Sequence, residues 1–240
     1  MNKVNIRNIA VITAAHQQNL LDFLLEDNRV KFGRLFAINA EKVILSGKRS
    51  DLAECLQHAE FCYADGISII LSIRRKYPEL ANMERIAGAD LWLALMNEAA
   101  RQGVPVFILG SSPVVLADTV EKLKYMGVNV VGQYDGYFSA EYENELIAAI
   151  QHSGAKIVSV ALGSPKQELF IQRAYMKYPF ALYMGVGGTY DVFTGRVKRA
   201  PKLWQKYGVE WLYRAITQPR RWKRQLNLIK YAYYYWFNKL

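Results

Sequence analysis

From about residue 30 to 195 the chain repeats one rhythm: a short apolar run, a small-residue turn, then a helical pattern. Few folds accommodate that alternation. Val104–Gly110 (VPVFILG) and Lys156–Gly163 (KIVSVALG) are β-branched, nearly continuous apolar runs that end in glycine, as strands covered on both faces should be. Arg34–Asn39, Glu60–Ala64 and Phe180–Val186 read as further strands, and Asp90–Gln102, Pro113–Met126 and Glu141–Ser153 as helices between them. Strands alternating with helices imply a mainly parallel sheet, because each crossover must carry the chain back to the same end of the sheet. The expected class is α/β, a Rossmann-like sheet with helices on both faces.

Near Gly195 the rhythm stops. Leu203–Thr217 and Arg220–Phe237 read as amphipathic helices, broken at Gln218–Pro219 because the proline ring opposes continuation. Trp204, Trp211, Leu212 and Ala215 fall on one side of the first. Trp222, Leu226, Ile229, Tyr233 and Phe237 fall on one side of the second. The expected division is an α/β domain over residues 1–195 and a helical appendage over 196–240.

Charge is segregated along the same line. The chain has 31 Lys+Arg against 21 Asp+Glu, a formal net charge of +10. Twelve of those bases and a single acid, Glu210, lie within 196–240, so the rest is nearly balanced. Such segregation points to an anionic partner. Aromatics among the bases would also suit RNA, but their helical spacing on an apolar side favours a membrane surface, and nucleic acid is not expected. No run of about 18 apolar residues is present for a membrane-crossing helix, nor an apolar stretch behind Met1–Arg7 for a signal peptide. The expected location is the cytoplasmic face of a membrane. Cys55 and Cys62, with no histidine or third cysteine near, read as reduced thiols. His16, His58 and His152 read as surface residues. There is no Asp-x-Asp pair, and neither a metal nor a cofactor is expected.

Two loops share a construction. Leu109-Gly110-Ser111-Ser112-Pro113 and Leu162-Gly163-Ser164-Pro165-Lys166-Gln167 each run from strand to glycine, serine N-cap and proline at the first helical position. Ser164 and Gln167 have capping-box spacing. A helix start beyond a parallel strand offers free N–H groups and a positive dipole end to a diphosphate, although a well-capped helix looks the same. Gly185-Val186-Gly187-Gly188-Thr189-Tyr190-Asp191 is a glycine-dense turn, but tyrosine at 190 breaks the G-x-G-x-x-G pattern, so nicotinamide use is unsupported. Asp65 follows a strand in Tyr63-Ala64-Asp65-Gly66, where a carboxylate suits either a general base or an Asp-Gly turn. Asn39 carries the same ambiguity.

Taken together, these blocks resemble the WecG/TagA/CpsF family of glycosyltransferases from about Leu35 to Arg224. The resemblance rests on Ala37–Lys42, Tyr63–Gly66, Arg85–Leu91, Gly163–Glu168, Gly185–Asp191, Arg199–Pro201 and Glu210–Arg214, in that order. Ala64–Ser68 and Tyr190–Gly195 are most similar to members that transfer N-acetylmannosaminuronic acid in enterobacterial common antigen synthesis. Relatives using N-acetylmannosamine carry Thr-Pro before the asparagine, where this chain has Ala37-Ile38.

The resemblance implies a metal-independent, inverting transfer. The donor would be UDP-N-acetylmannosaminuronic acid and the acceptor undecaprenyl-diphosphate-linked N-acetylglucosamine (lipid I), yielding lipid II, at the cytoplasmic face of the inner membrane and beside its anionic lipids. It further implies Asp65 as base, with Asn39, Arg85 and Gln167 lining the sugar and phosphate site. Gly110, Tyr137, Gly187 and Asp191 are expected in the UDP pocket. Arg214, Arg221 and Arg224 match the arginines that a C-terminal segment brings to the site in this family. The donor's carboxylate calls for a cationic partner, and Arg85, Lys166 and Lys198 are candidates.

Overall fold

The apolar runs assemble into one sheet of six parallel strands. The structure, a computed structural model, describes every residue except 27, 28, 202, 205–209, 218–221 and 238; the side chains of 214, 215, 217 and 222–226 are likewise left out of the description. Ahead of the sheet come a hairpin of β1 (Lys3–Ile6) and β2 (Ile9–Ile12), helix α1 (Gln17–Leu24), and the two-residue strands β3 (Leu25–Glu26) and β4 (Arg29–Val30). The hairpin lies before the first strand read from the sequence. Its two turn residues, Arg7 and Asn8, both take positive φ (46° and 66°), the geometry that a two-residue turn needs to follow the twist of its strands.

The sheet then forms from β5 (Gly33–Ile38), β6 (Phe61–Ala64), β7 (Val106–Gly110), β8 (Val130–Tyr134), β9 (Ile157–Ala161) and β10 (Leu182–Gly185), in the spatial order β6-β5-β10-β9-β7-β8. The sequence marked five of these. The edge strand β8 escaped notice because it has no wholly buried residue and includes Gly132 and Gln133. Phe180, expected to open the last strand, is exposed outside it.

Helices cover both faces. After β5 come α2 (Ala40–Ser46) and α3 (Ser50–Gln57), and after β6 come α4 (Ile67–Lys76), the short 3-10 turn Pro78–Leu80 and α5 (Gly88–Gln102). Helices α6 (Pro113–Tyr125), α7 (Glu143–His152), α8 (Lys166–Lys177) and α9 (Thr189–Phe193) follow β7, β8, β9 and β10. Successive strand residues alternate between two apolar clusters. Phe36, Ile38, Phe107, Leu109, Val158 and Val160 join α2, α3, α4, α7 and α8. Leu35, Ala37, Val106, Ile108, Ile157 and Met184 join α1, α5 and α6. This two-sided burial is why the strands read as continuous apolar runs instead of alternating ones.

Two further helices among the described residues, α10 (Glu210–Thr217) and α11 (Trp222–Trp236), lie in the segment expected to be the appendage. Tyr231 of α11 is 2% exposed within the first cluster, and its hydroxyl lies 2.8 Å from Ser72 Oγ on α4. Arg75, at the end of α4, donates to the Tyr235 carbonyl at 2.7 Å. Thus α11 packs against α2 and is bonded to α4, running in the same direction as α4. Of the sequence stripe, Ile229, Tyr233 and Phe237 face outward, joined by Trp236, and the side chains of Trp222 and Leu226 lie outside the description; the inward contacts come from Tyr231, Leu228 and Tyr234. No helix among the described residues is long and apolar enough to cross a membrane.

Candidate functional site

In a parallel sheet every strand ends on the same side, so the residues just beyond them gather along one edge. Here those residues are Asn39 after β5, Asp65 after β6, Ser111 after β7, Tyr137 after β8, Gly163 after β9 and Gly187 after β10. From β7 the chain moves outward to β8, whereas from neighbouring β9 it moves the opposite way to β10. The two glycine loops therefore flank a topological switch point, the place where open α/β sheets bind ligands.

Asp65 and Asn39 are side by side. The Asp65 amide donates to the Ile38 carbonyl at 3.0 Å, and Gly66 lies so close that an added Cβ would come 3.3 Å from Asn39 Cβ. Asn39 is the N-cap of α2, its Oδ1 accepting the Lys42 amide at 3.0 Å. Asp65 Oδ1 accepts the Gly88 amide at 3.1 Å, so the carboxylate supplies an acceptor to the start of α5, where N–H groups lack partners inside the helix. Gly88 must be small. A Cβ there would lie 2.9 Å from the Tyr63 hydroxyl, which is buried without a hydrogen-bond partner among the described residues and whose ionisation burial pushes well above the ordinary range.

Arg85 precedes this helix start and pairs with Glu210 of α10, Nη1 to Oε2 at 2.7 Å. Arg199 completes the cluster. Its Nη2 donates to Asp90 Oδ2 at 2.7 Å, and its Nε lies 3.5 Å from Glu210 Oε1. The appendage's single acid thus meets two arginines beside the Asp65 loop.

The glycine loops behave differently from each other. At the first, Ser112 caps α6 by accepting the Val115 amide at 3.4 Å, with Pro113 at the first helical position, as the sequence implied. Gly110 has φ of 109°, and an added Cβ would sit 2.4 Å from the Ala161 carbonyl oxygen, so its smallness serves the close packing of β7 on β9. At the second, the capping-box reading fails. α8 begins at Lys166 after a cis Ser164–Pro165 peptide, Pro165 occupies the cap without a side-chain bond, and Gln167 turns into the protein. Gln167 is 3% exposed; its Oε1 accepts the Gly187 amide at 2.9 Å and its Nε2 donates to Glu168 Oε1 at 2.9 Å. The physical reason is competition: two interior partners outbid a solvent-side cap.

Glu168 is itself wholly buried and pairs with Lys42, Nζ to Oε1 at 2.7 Å, while Lys42 Nζ also donates to the Ala37 carbonyl at 2.8 Å. Burial alone would raise the Glu168 carboxyl, but the Lys42 charge and the bonds from Lys42 and Gln167 hold it below the ordinary range. Neither residue was singled out from the sequence. The available signals were a lysine three residues after the cap Asn39 and a glutamate immediately after Gln167.

Tyr137 is exposed beyond the edge strand, where Asp135 Oδ1 accepts its amide at 2.8 Å, and the preceding Gly136 bonds Ser111. Asp191 sits in the first turn of α9, near Gly188. Tyr190, the residue that broke the dinucleotide pattern, is a core residue whose hydroxyl donates to the Ser159 carbonyl at 3.0 Å. Lys166 Nζ donates to the Gly136 carbonyl at 3.3 Å, and Lys198 is exposed. Arg221 lies outside the described residues, as do the side chains of Arg214 and Arg224 on α10 and α11. The three histidines are exposed, and Cys55 and Cys62 are free, buried thiols pushed up to about 12 by desolvation. A cavity of about 390 Å³ lies elsewhere, lined by Ser46 and Gly47 at the far end of α2, Lys76 at the far end of α4, and Arg7; no candidate site residue lines it. The chain matches the family described as Glycosyl transferase WecG/TagA/CpsF family over residues 3–240.

Proposed function

The chain belongs to the WecG/TagA/CpsF glycosyltransferase family, and from that premise we propose an inverting transfer of N-acetyl-D-mannosaminuronic acid from UDP to undecaprenyl-diphosphate-linked N-acetylglucosamine, in enterobacterial common antigen synthesis. A sugar-nucleotide donor, a lipid-linked acceptor and a role in surface polysaccharide synthesis follow from the family. The observation that carries the rest is the meeting of Asn39, Asp65, Gln167 and Gly187 on one sheet edge, next to the Arg85–Glu210 contact with the appendage.

In this reading the acceptor hydroxyl oxygen attacks the anomeric carbon while Asp65 takes its proton. The bond from that carbon to the UDP oxygen breaks, and its electron pair leaves with UDP. A single displacement inverts the centre. Asp65 is suited to the role because the Gly88 amide fixes its carboxylate, and a positioned base contributes about 10²–10⁴-fold. The departing diphosphate gains negative charge, to be met by Arg214, Arg221 and Arg224. Arg214 and Arg224 lie on helices of the appendage, and the first turn of α11 is at its end nearer the catalytic edge, which supports that assignment.

The outward stripe Ile229, Tyr233, Trp236 and Phe237, with Lys230 and Lys239 beside it, supports docking on anionic lipid at the cytoplasmic face of the inner membrane. Each base near such a surface contributes about 1 kcal/mol.

A panel of UDP-sugars with a short-chain lipid-linked N-acetylglucosamine, read by product mass, tests the reaction. The expected product gains one N-acetylmannosaminuronic acid; a mass gain of N-acetylmannosamine would replace that donor, and no product from any donor would sink the reading. Asp65→Asn should lower turnover by about 10²–10⁴-fold while UDP binding stays. Retained turnover would remove Asp65 as the base.

A further inference from the structure

Three strand ends of the candidate site are held by one buried chain of polar contacts. Lys42 lies in the first turn of α2, after β5, and its amide is the one Asn39 accepts at 3.0 Å. Its ammonium reaches across to Glu168, at the start of α8 after β9, at 2.7 Å, with 5% and 0% of the two side chains exposed. The same Glu168 oxygen accepts Gln167 Nε2 at 2.9 Å, and Gln167 Oε1 accepts the Gly187 amide at 2.9 Å beyond β10. The glycine turn is shaped to this arrangement. A Cβ at Gly185 would lie 2.9 Å from Gln167 Nε2, and Gly187 takes φ of 54°.

A primary amide has two ends that differ by one atom type, so something must decide which end faces Gly187. The Glu168 carboxylate oxygen facing Gln167 accepts only, so it binds the NH2 end and leaves the carbonyl end for Gly187. Lys42 in turn keeps that carboxylate charged in a place where burial opposes charge. We propose that Lys42 and Glu168 are positioning residues for the transfer: the buried pair fixes the Gln167 amide, and Gln167 fixes the Gly185–Gly188 turn against which the donor's diphosphate is seated. Neither side chain touches the reacting atoms. The proposal rests on the reading of this edge as a sugar-nucleotide site, and it assigns to Gln167 an interior role as a brace.

The full chain is compared with Lys42→Met/Glu168→Gln, which removes both charges together, and with Gln167→Ala, which keeps the pair and cuts its link to the turn. UDP is the probe, with affinity from calorimetry, and hydrogen exchange is followed across residues 185–188. Both variants should exchange at least tenfold faster over that segment and bind UDP at least tenfold more weakly. Acceptor KM should stay within twofold, a split that a general loss of structure would not give. Gln167→Ala added to the double variant should cost less than a further twofold, since the brace is already released. Parent-like exchange and UDP affinity in either variant would overturn the proposal, as would a full extra loss when the three changes are combined. If the double variant does not fold, Gln167→Ala still decides. If the exchange results hold but the parent chain does not bind UDP, the brace stands and the donor site reading falls.

Discussion

Two ion-pair clusters flank the same sheet edge, and they differ in what surrounds them. Lys42–Glu168 is sealed inside the α/β core: Lys42 also bonds the Ala37 carbonyl and Glu168 Oε1 also accepts Gln167, while Glu168 Oε2 is buried without a hydrogen-bond partner among the described residues. Arg85–Glu210–Arg199–Asp90 lies between that core and α10 and keeps water contact, with side chains 11% to 44% exposed. A sealed pair tolerates no partial loss, because a lone charge left behind has no water to turn to. A half-wet cluster can lose a member and be resolvated. The difference teaches that the edge combines a rigid floor with a separable wall. The wall's charges fasten its first helix, and Tyr231 fastens its second through the core.

Removing one member of each cluster is the sharpest way to break that contrast. Lys42→Met leaves Glu168 charged and buried, and should lower stability by about 3–5 kcal/mol in denaturant unfolding. A small loss there would mean that water enters the core and that the floor is not sealed.

The pH dependence comes next. The folded state holds the Glu168 carboxyl below its ordinary value of 4.5, through the Lys42 charge and hydrogen bonding against the raising effect of burial. Its contribution to stability is therefore complete above that value and is lost as pH falls through the lower folded one. The acid limb of a stability profile should flatten in Glu168→Gln below about pH 4.5. An unchanged limb would shift the acid sensitivity to Glu60, which is likewise lowered: burial opposes ionisation there, and bonding to Arg34 overcomes it.

Glu210→Gln should cost only about 1 kcal/mol, since Arg199 retains Asp90. Its effect should appear instead as faster proteolysis of 196–240, and salt should imitate it in the parent chain by screening the cluster. Salt-insensitive cleavage would make the appendage as rigid as the core. Smallest for the fold is Trp236→Ala on the outward stripe, where the side chain is 73% exposed. Melting should not change measurably. Sedimentation with anionic vesicles should fall, and unchanged sedimentation would remove this face from membrane docking.

Periodicity made the sheet and most of its covering helices legible, because strands buried on both faces must be apolar throughout and their crossovers must be helical. The strand ends were legible too: Asn39, Asp65 and the glycine turn holding Gly187 each follow a strand in the sequence, and parallel strands put such ends on one edge. What failed were local rules that had tertiary competitors. Ser164 and Gln167 obey the spacing of a capping box, but Gln167 found better partners inside. At Gly110 the absence of a Cβ also answers to a tertiary neighbour, the Ala161 carbonyl, which no local spacing announces. In α11 the apolar stripe was real, yet its side facing the core is marked by Tyr231, because a tyrosine can be buried wherever Ser72 meets its hydroxyl.

By itself, then, the sequence determined the layered α/β fold, the sheet edge where the candidate residues gather and the concentration of positive charge in the last 45 residues, since each depends on residue type and short-range spacing. Only the tertiary structure decided the pairing of Lys42 with Glu168, of Glu210 with Arg85 and of Tyr231 with Ser72. These contacts join residues 126, 125 and 159 positions apart. Nothing in a local pattern specifies such a partner; it is chosen by which groups the packed strands and helices bring within reach, and by the cost of burying a polar group that has none.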